Sequence, residues 1–250
     1  MQASHALKKY AHAYAQAAAE VVAESLWPTR CVVCGALGEV LCSSCVAQLP
    51  FIDQARACPR CGAPFGQHQC CECNSFSLKG LGRSCLPFNS CVSAVHYSED
   101  VARIVRARKD HDERRLARVM AFYIACAIPP AWVEEPAVLV PVPGTVAALR
   151  RRGFDHGLEL VKEVGQLLDL PVKSVLRVAQ TQDQRGLGRQ LRAQNVSGRF
   201  SVQGEGASHV PARVILVDDV YTTGSTVMAA TDALREAGAA EVFVASFARV

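Results

Sequence analysis

The sequence predicts an α/β fold in which a mostly parallel sheet is flanked by helices, with a small cysteine-rich module ahead of it. Three observations carry this expectation. From Cys91 onward, apolar runs of strand length alternate with helical patterns. One run, Val214-Ile215-Leu216-Val217, is continuously apolar and rich in β-branched residues, as suits a strand buried on both faces. Eight of the twelve cysteines form four C-x-x-C pairs between Cys31 and Cys73, where periodic apolar sequence is too sparse to build a core unaided.

The elements follow in order. Residues 4–26 read as an Ala-rich surface helix closed by Pro28, and residues 31–73 as the cysteine module, punctuated by Pro50, Pro59, Gly62, Pro64 and Gly66. Residues 74–90, with Gly80, Gly82 and Pro87, read as a loop-like connector. Cys91–Tyr97 alternates like a strand, and Glu99–Ala127 has helical periodicity with a break near Asp110–Asp112. Ala137–Val140 is a short buried strand between Pro136 and Pro141, and Gly157–Leu168 an amphipathic helix. Val172–Leu176 is a short strand and Arg185–Asn195 a charged helix. Ser225–Ala237 is a helix stopped by Gly238, and Glu241–Ala248 is the last strand. The predicted organisation is an N-terminal helix (1–27), the cysteine module (28–75), a connector (76–90) and the α/β domain (91–250).

Composition narrows the class. The 250 residues are 50% hydrophobic and 20% charged, which is ordinary for a globular chain. A net charge of +4, from 27 basic and 23 acidic residues, is too mild to mark a nucleic-acid binder by itself. Lys8 and Lys9 precede Ala11–Ala23, but His12, Gln16 and Glu20 make that stretch too polar for a secretion signal. No stretch is long and apolar enough for a membrane span. A reducing cytoplasm is therefore the expected compartment, and there paired cysteines ligate metal rather than form disulfides.

Cys31, Cys34, Cys42 and Cys45 form one set, and Cys58, Cys61, Cys70 and Cys73 a second of nearly equal spacing. Each C-x-x-C knuckle offers two thiolates, and two knuckles complete a tetrahedral site for a structural zinc. Two zinc ions are expected, paired either in sequence or cross-braced, with Cys31 and Cys34 sharing a metal with Cys58 and Cys61. Cys71 competes with Cys70 but lacks the C-x-x-C spacing to Cys73, and His68 reads as solvent-facing. Cys85, Cys91 and Cys126 have no partners at ligand spacing and read as core or surface residues.

The strand at Val214 ends on Asp218 and Asp219, followed by Thr222, Thr223, Gly224, Ser225 and Thr226 at the start of a helix. Ligands bind at the carboxyl ends of parallel strands. Backbone N–H groups at a helix start, joined by hydroxyls, suit a phosphate. Adjacent carboxylates suit a vicinal diol. A lone Thr-Thr-Gly also fits a plain strand-to-helix turn capped by Asp219 or Thr222, but the whole segment is far more specific. It resembles the 5-phosphoribosyl 1-diphosphate (PRPP) signature of type I phosphoribosyltransferases. The resemblance implies that Asp218 and Asp219 hold the ribose hydroxyls and that Thr222, Thr223, Gly224, Ser225 and Thr226 cradle the 5-phosphate. A second loop should take the pyrophosphate, and Val140-Pro141-Val142-Pro143-Gly144 with Arg150-Arg151-Arg152 supplies a turn and guanidinium groups for it.

Taken together, the motifs resemble the ComF family, which joins a double zinc ribbon to a type I phosphoribosyltransferase-like domain and is linked to DNA uptake in natural competence. Leu26-Trp27-Pro28-Thr29-Arg30-Cys31-Val32-Val33-Cys34-Gly35, Leu41-Cys42-Ser43-Ser44-Cys45 and Cys58-Pro59-Arg60-Cys61-Gly62 are similar to the ribbon segments. Pro141-Val142-Pro143, Arg152-Gly153-Phe154-Asp155, and Gln184, Leu187, Arg192, Asn195 and Val196 are similar to later ones. Two departures stand out. Lys109 is followed by Asp110, His111, Asp112 and Glu113 where the family has an aromatic residue and then Gly-Asp, and Asp155-His156 replaces Asn-Gln.

The resemblance implies PRPP as ligand, magnesium with it, Lys109, Arg152 and the Pro141–Val142–Pro143 turn near the pyrophosphate, and pentosyl transfer to an unnamed acceptor. It also implies DNA-uptake partners, with peripheral attachment at the inner membrane through them. A PRPP-sensing, single-stranded-DNA-binding module is the alternative. Arg103, Arg106, Arg108, Lys109, Arg114, Arg115 and Arg118 could follow a phosphate backbone, or form a solvated helix face. Phe122 and Tyr123 read as core, and Tyr221 as a candidate wall of an acceptor pocket.

Overall fold

The computed structural model describes residues 28–178, 200–202 and 210–250; the helices expected at 4–26 and Arg185–Asn195 lie outside them. The chain divides into two compact units, 1–48 and 49–250. The break falls within the 28–75 cysteine segment, so the second cysteine set belongs to the larger unit.

In the first unit, the described residues form one knuckle pair and helix α1 (Ser43–Ala47). Cys31 N–H donates to Ala36 O at 2.8 Å, and Gly35 N–H donates to Cys31 O at 2.8 Å, closing the tight knuckle turn.

The larger unit is built on a four-stranded parallel sheet. Its strands are β1 (Ser90–His96), β2 (Val138–Pro141), β5 (Arg213–Tyr221) and β6 (Glu241–Arg249), in the order β1-β6-β5-β2. Val214, Ile215, Leu216 and Val217 are all fully buried, as expected of a central strand covered on both faces. β5 runs further than the apolar run suggests, and Asp218, Val220 and Tyr221 pair with Ser246, Ala248 and Arg249 of β6. The acid pair is therefore held by the sheet itself rather than by a loop.

The single helical pattern over 99–127 resolves into α3 (Glu99–Asp110) and α4 (Leu116–Ala127), broken where expected. Ser98 caps α3, its side chain accepting from Val101 N–H. The loop-like connector holds a short helix, α2 (Ser75–Gly80), capped by Asn74 Oδ1 accepting from Ser77 N–H at 2.8 Å. Helices α5 (Val146–Arg152), α6 (His156–Leu168) and α7 (Ser225–Glu236) complete the layers. The strand expected at Val172–Leu176 reduces to one bridge, Val172 to Leu139; the pairing strand is β3 (Leu176–Val178), antiparallel to β4 (Phe200–Val202). Helix α4 packs on β1 and β6, α6 on β2 and β5, and α7 on β5, β6 and the β3–β4 ribbon.

Phe122 and Tyr123 are not core. Phe122 is half exposed, and Tyr123 stacks between it and the exposed Phe51, with centroids 5.2 and 5.0 Å away. Helical spacing located the pair on α4 but could not tell its buried face, lined by Met120, Ala121 and Ile124, from its rim.

Candidate functional site

The carboxyl ends of β2 and β5 open onto a cavity of about 360 Å³. Its walls include Lys109 of α3, Val142 and Pro143 after β2, Arg152 of α5, Asp218 and Asp219 of β5, and Thr222 and Thr226 at the start of α7. Parallel strands place their ligand sites here because the helices that follow them begin here. Val142 N–H donates to Val217 O at 3.1 Å, pinning the Pro-Val-Pro turn beside the strand that carries the acids.

Lys109 Nζ lies 2.6 Å from Asp219 Oδ2. Asp219 N–H donates to Asp218 Oδ1 at 2.9 Å. Desolvation, then the Asp219 carboxylate, push Asp218 up to about 7, while the Asp219 N–H and Lys109 work the other way. With two carboxylates this close, the ligand-free pair holds a proton near neutrality, and a cation or hydroxyl donors would displace it.

Gly224 caps α7 at φ 75°, and a Cβ there would lie 2.3 Å from Tyr221 Oη. Only glycine allows the backbone both this conformation and this approach. Thr223 and Ser225 hydroxyls bond each other at 2.8 Å. Pro141, Thr223, Gly224 and Ser225 are not among the cavity-lining residues: Pro141 ends β2, and the other three form the turn behind Thr222 and Thr226. Tyr221 is buried, lies away from this cavity, and cannot be its acceptor wall.

Asp155, His156 and Arg108, to which the sequence assigns no ligand role, also gather here. Asp155 caps α6, accepting from Leu158 N–H at 3.1 Å, and His156 follows it on the cavity wall. Burial, then Arg108 and Arg152, push His156 below the ordinary histidine value, which favours its neutral form. Arg108 is 1% exposed and donates to the His156 carbonyl. It thereby ties α3, which brings Lys109, to the first turn of α6. The Asp-His replacement was the one sequence signal for this corner.

The basic segment is largely satisfied within the protein. Arg103 pairs with Glu99 and Asp100, Arg114 with Glu159 at 2.6 Å, and Arg115 with Glu113. Such pairing favours a solvated helix face over a nucleic-acid track.

Both cysteine sets close in sequence order rather than cross-braced. Within each of Cys31/Cys34/Cys42/Cys45 and Cys58/Cys61/Cys70/Cys73, the sulfur atoms lie within 4.8 Å of one another. Cys34 to Cys42, Cys58 to Cys73 and Cys61 to Cys70 span 3.6, 3.7 and 3.5 Å. A zinc–sulfur bond of about 2.3 Å sets a tetrahedron edge of ~3.8 Å, so each set fits one zinc ion. Burial would raise the Cys31 thiol, but N–H groups of Cys34, Cys42 and Val33 outweigh it and bring it down to about 6. Cys70, not Cys71, is the fourth donor of the second set, and Cys71 and His68 are exposed.

Comparison with known proteins agrees with both halves. A double zinc ribbon domain matches residues 22–74, and a phosphoribosyl transferase domain matches residues 145–250. Competence protein F of Haemophilus influenzae is 31% identical over 218 residues, covering 84% of this chain and 90% of that protein. Competence protein ComFC of Streptococcus pneumoniae is 24% identical over 84% and 87% of the two chains. DNA utilization protein YhgH of Escherichia coli is 28% identical over 75% and 81%. Among solved structures, an orotate phosphoribosyltransferase from Aeropyrum pernix aligns at a TM-score of 0.33 and 18% identity, over 63% of this chain and 80% of that one. With two four-cysteine sets ahead of a parallel sheet that ends on an acid pair and a hydroxyl-glycine turn, and with the Haemophilus influenzae protein 31% identical over most of both chains, the chain belongs to the competence protein F (ComF) family, a double zinc ribbon joined to a phosphoribosyltransferase domain.

Proposed function

We propose that the protein binds PRPP in the cavity at the ends of β2 and β5 and transfers its phosphoribosyl group to an acceptor during DNA uptake. One observation carries the reading: a single cavity brings together the acid pair Asp218 and Asp219, Thr222 and Thr226 at a helix start, and the cations Lys109 and Arg152. Each part of the ligand then meets a partner of matching chemistry. The ribose 2- and 3-hydroxyls donate to Asp218 and Asp219. The 5-phosphate accepts from the backbone and hydroxyls of Thr222, Thr223, Gly224, Ser225 and Thr226. The diphosphate lies toward Arg152 and Lys109, over Pro141, Val142 and Pro143. The carboxylates are hard oxygen donors that suit magnesium, which when bound would offset diphosphate charge.

In the transfer, the bond from the anomeric carbon to the diphosphate oxygen breaks, and one to the acceptor's nucleophile forms. The electron pair leaves on pyrophosphate. The chain's contribution is positioning and charge. Lys109, released from Asp219 when the sugar hydroxyls arrive, stands ready for the leaving group.

The setting comes from relatives named for competence and DNA utilization. One of those names speaks of DNA utilization, which supports a second reading: a non-catalytic PRPP sensor that engages single-stranded DNA. Among the described residues no helix is long and apolar enough to cross a membrane. A cytoplasmic location, with attachment to the inner membrane through uptake partners, belongs to this reading and comes from the relatives' link to DNA uptake. Pyrophosphate release on adding candidate acceptors decides between the readings. Release supports transfer; PRPP binding without release, together with a salt-sensitive gel shift of single-stranded DNA, supports the sensor.

A further inference from the structure

Arg249 ends β6 and is 2% exposed. A guanidinium so buried is costly unless its donors find partners. Nη1 donates to the Cys61 carbonyl at 2.7 Å, and Nη2 donates to Glu72 Oε2. The flat face of the group lies over the Tyr221 ring, 4.2 Å from its centroid. One side chain therefore grips the second cysteine set at two points and the end of β5 at a third.

Tyr221 carries the contact onward. It faces Arg249 in the β5–β6 register, and Val250 N–H donates to Tyr221 O at 3.0 Å. Its hydroxyl sits against Gly224, the cap of α7. On this side the turn is not packed solid: a second cavity of about 360 Å³ is lined by Glu72, Arg249, Tyr221, Thr222 and Thr223. The Arg249–Tyr221 contact is therefore one support of the turn on this side.

The geometry points to Arg249 as a positioning residue that makes the 222–226 turn depend on the second four-cysteine site. Without a metal, nothing holds the four sulfur atoms of this set together, and the Cys58–Cys61 knuckle opens. The Cys61 carbonyl moves with it, as does Glu72, which adjoins the ligand Cys73. Arg249 Nε has no hydrogen-bond partner among the described residues, so the Cys61 carbonyl and Glu72 are the guanidinium's main anchors. It then leaves its berth and frees Tyr221 and Gly224. The consequence for ligand affinity rests on the PRPP reading above; the mechanical link does not.

Hydrogen exchange tests the link without any ligand. The reporter is the Met228 amide, which donates to Gly224 O at 2.8 Å and closes the turn. In the zinc-loaded full chain, removal of metal by a chelator should speed its exchange about tenfold while α6 keeps its protection. Arg249→Met should show the faster rate with zinc content unchanged, and chelation should add nothing more. Glu72→Gln alters a half-exposed side chain that tolerates replacement and should give an intermediate rate, about threefold faster. If Arg249→Met also loses protection in α6, it has unfolded and Glu72→Gln decides. Met228 exchange that is indifferent to chelation in wild type, or to Glu72→Gln with zinc bound, overturns the inference. In parallel titrations, Arg249→Met should weaken ribose 5-phosphate about tenfold and leave inorganic pyrophosphate unchanged, a split that general destabilisation would not produce. If wild type binds neither, the PRPP reading fails, and the exchange rates still judge Arg249.

Discussion

The two four-cysteine sets share a chemistry and differ in what surrounds them. Both knuckles are closed by the same pair of hydrogen bonds: Cys31 N–H to Ala36 O and Gly35 N–H to Cys31 O, and again Cys58 N–H to Ala63 O and Gly62 N–H to Cys58 O. The first set lies in the small unit, and its Cys34 is exposed. In the second, Cys58, Cys61 and Cys73 are buried in the larger unit, and Arg249 of the sheet reaches the Cys61 carbonyl. The same motif thus sits in a small unit in one place and, in the other, forms a buried cluster within the larger unit.

The sharpest way to break this comparison is to remove one ligand from each set. Cys61→Ser should lose one zinc and destabilise the larger unit by about 3 kcal/mol or more, lowering its Tm by roughly 10 °C. Cys34→Ser should also lose one zinc but leave that transition within about 2 °C. Calorimetric melting with metal analysis checks both; equal shifts would erase the distinction. The knuckle glycines give a smaller contrast. Both have positive φ, at 77° for Gly35 and 71° for Gly62, so alanine costs about 1 kcal/mol at either. A Cβ on Gly62 would also meet the Cys91 carbonyl oxygen at 2.5 Å, whereas one on Gly35 meets nothing within 4 Å. Gly62→Ala should therefore cost about 2 kcal/mol more than Gly35→Ala in the same melts.

The smallest effect separates the cavity from both sets. Zinc-bound thiolates stay ionised around neutral pH, while Asp218 titrates there. Its folded-state pKa, about 7, lies above its ordinary 3.8, so between those values the folded state holds a proton that the unfolded state has lost. This contribution to stability is full below about pH 4 and is lost as pH rises to about 7. Ligand binding runs the other way, because the ribose hydroxyls need the carboxylate. PRPP affinity should fall about tenfold per pH unit below 7, and Asp218→Asn should flatten that slope.

What could be read from sequence was local. The cysteine sets were legible because C-x-x-C spacing nearly fixes a knuckle, and the acid pair because it ends a run that only a buried strand explains. The stop at Gly238 was legible because a glycine there ends the helical pattern. The two buried arginines were not. Arg108 bonds a carbonyl 48 residues away, and Arg249 one 188 residues away. Before folding, each reads as an ordinary surface charge. Tyr221 was misplaced because strand alternation, extended past Asp219, does not say which of two cavities a side chain will face. The choice between sequential and cross-braced cysteines had the same origin, since spacing counts ligands without pairing the knuckles.

The central claim is that Asp218 and Asp219 make this cavity a PRPP site. Isothermal calorimetry of wild type and of the Asp218→Ala/Asp219→Ala double variant, each titrated with PRPP and magnesium at pH 8, tests it most directly. Wild type should bind saturably, and the double variant should bind at least about a hundredfold more weakly with both zinc ions retained. Equal affinity in the two proteins, or no binding by wild type, would contradict it.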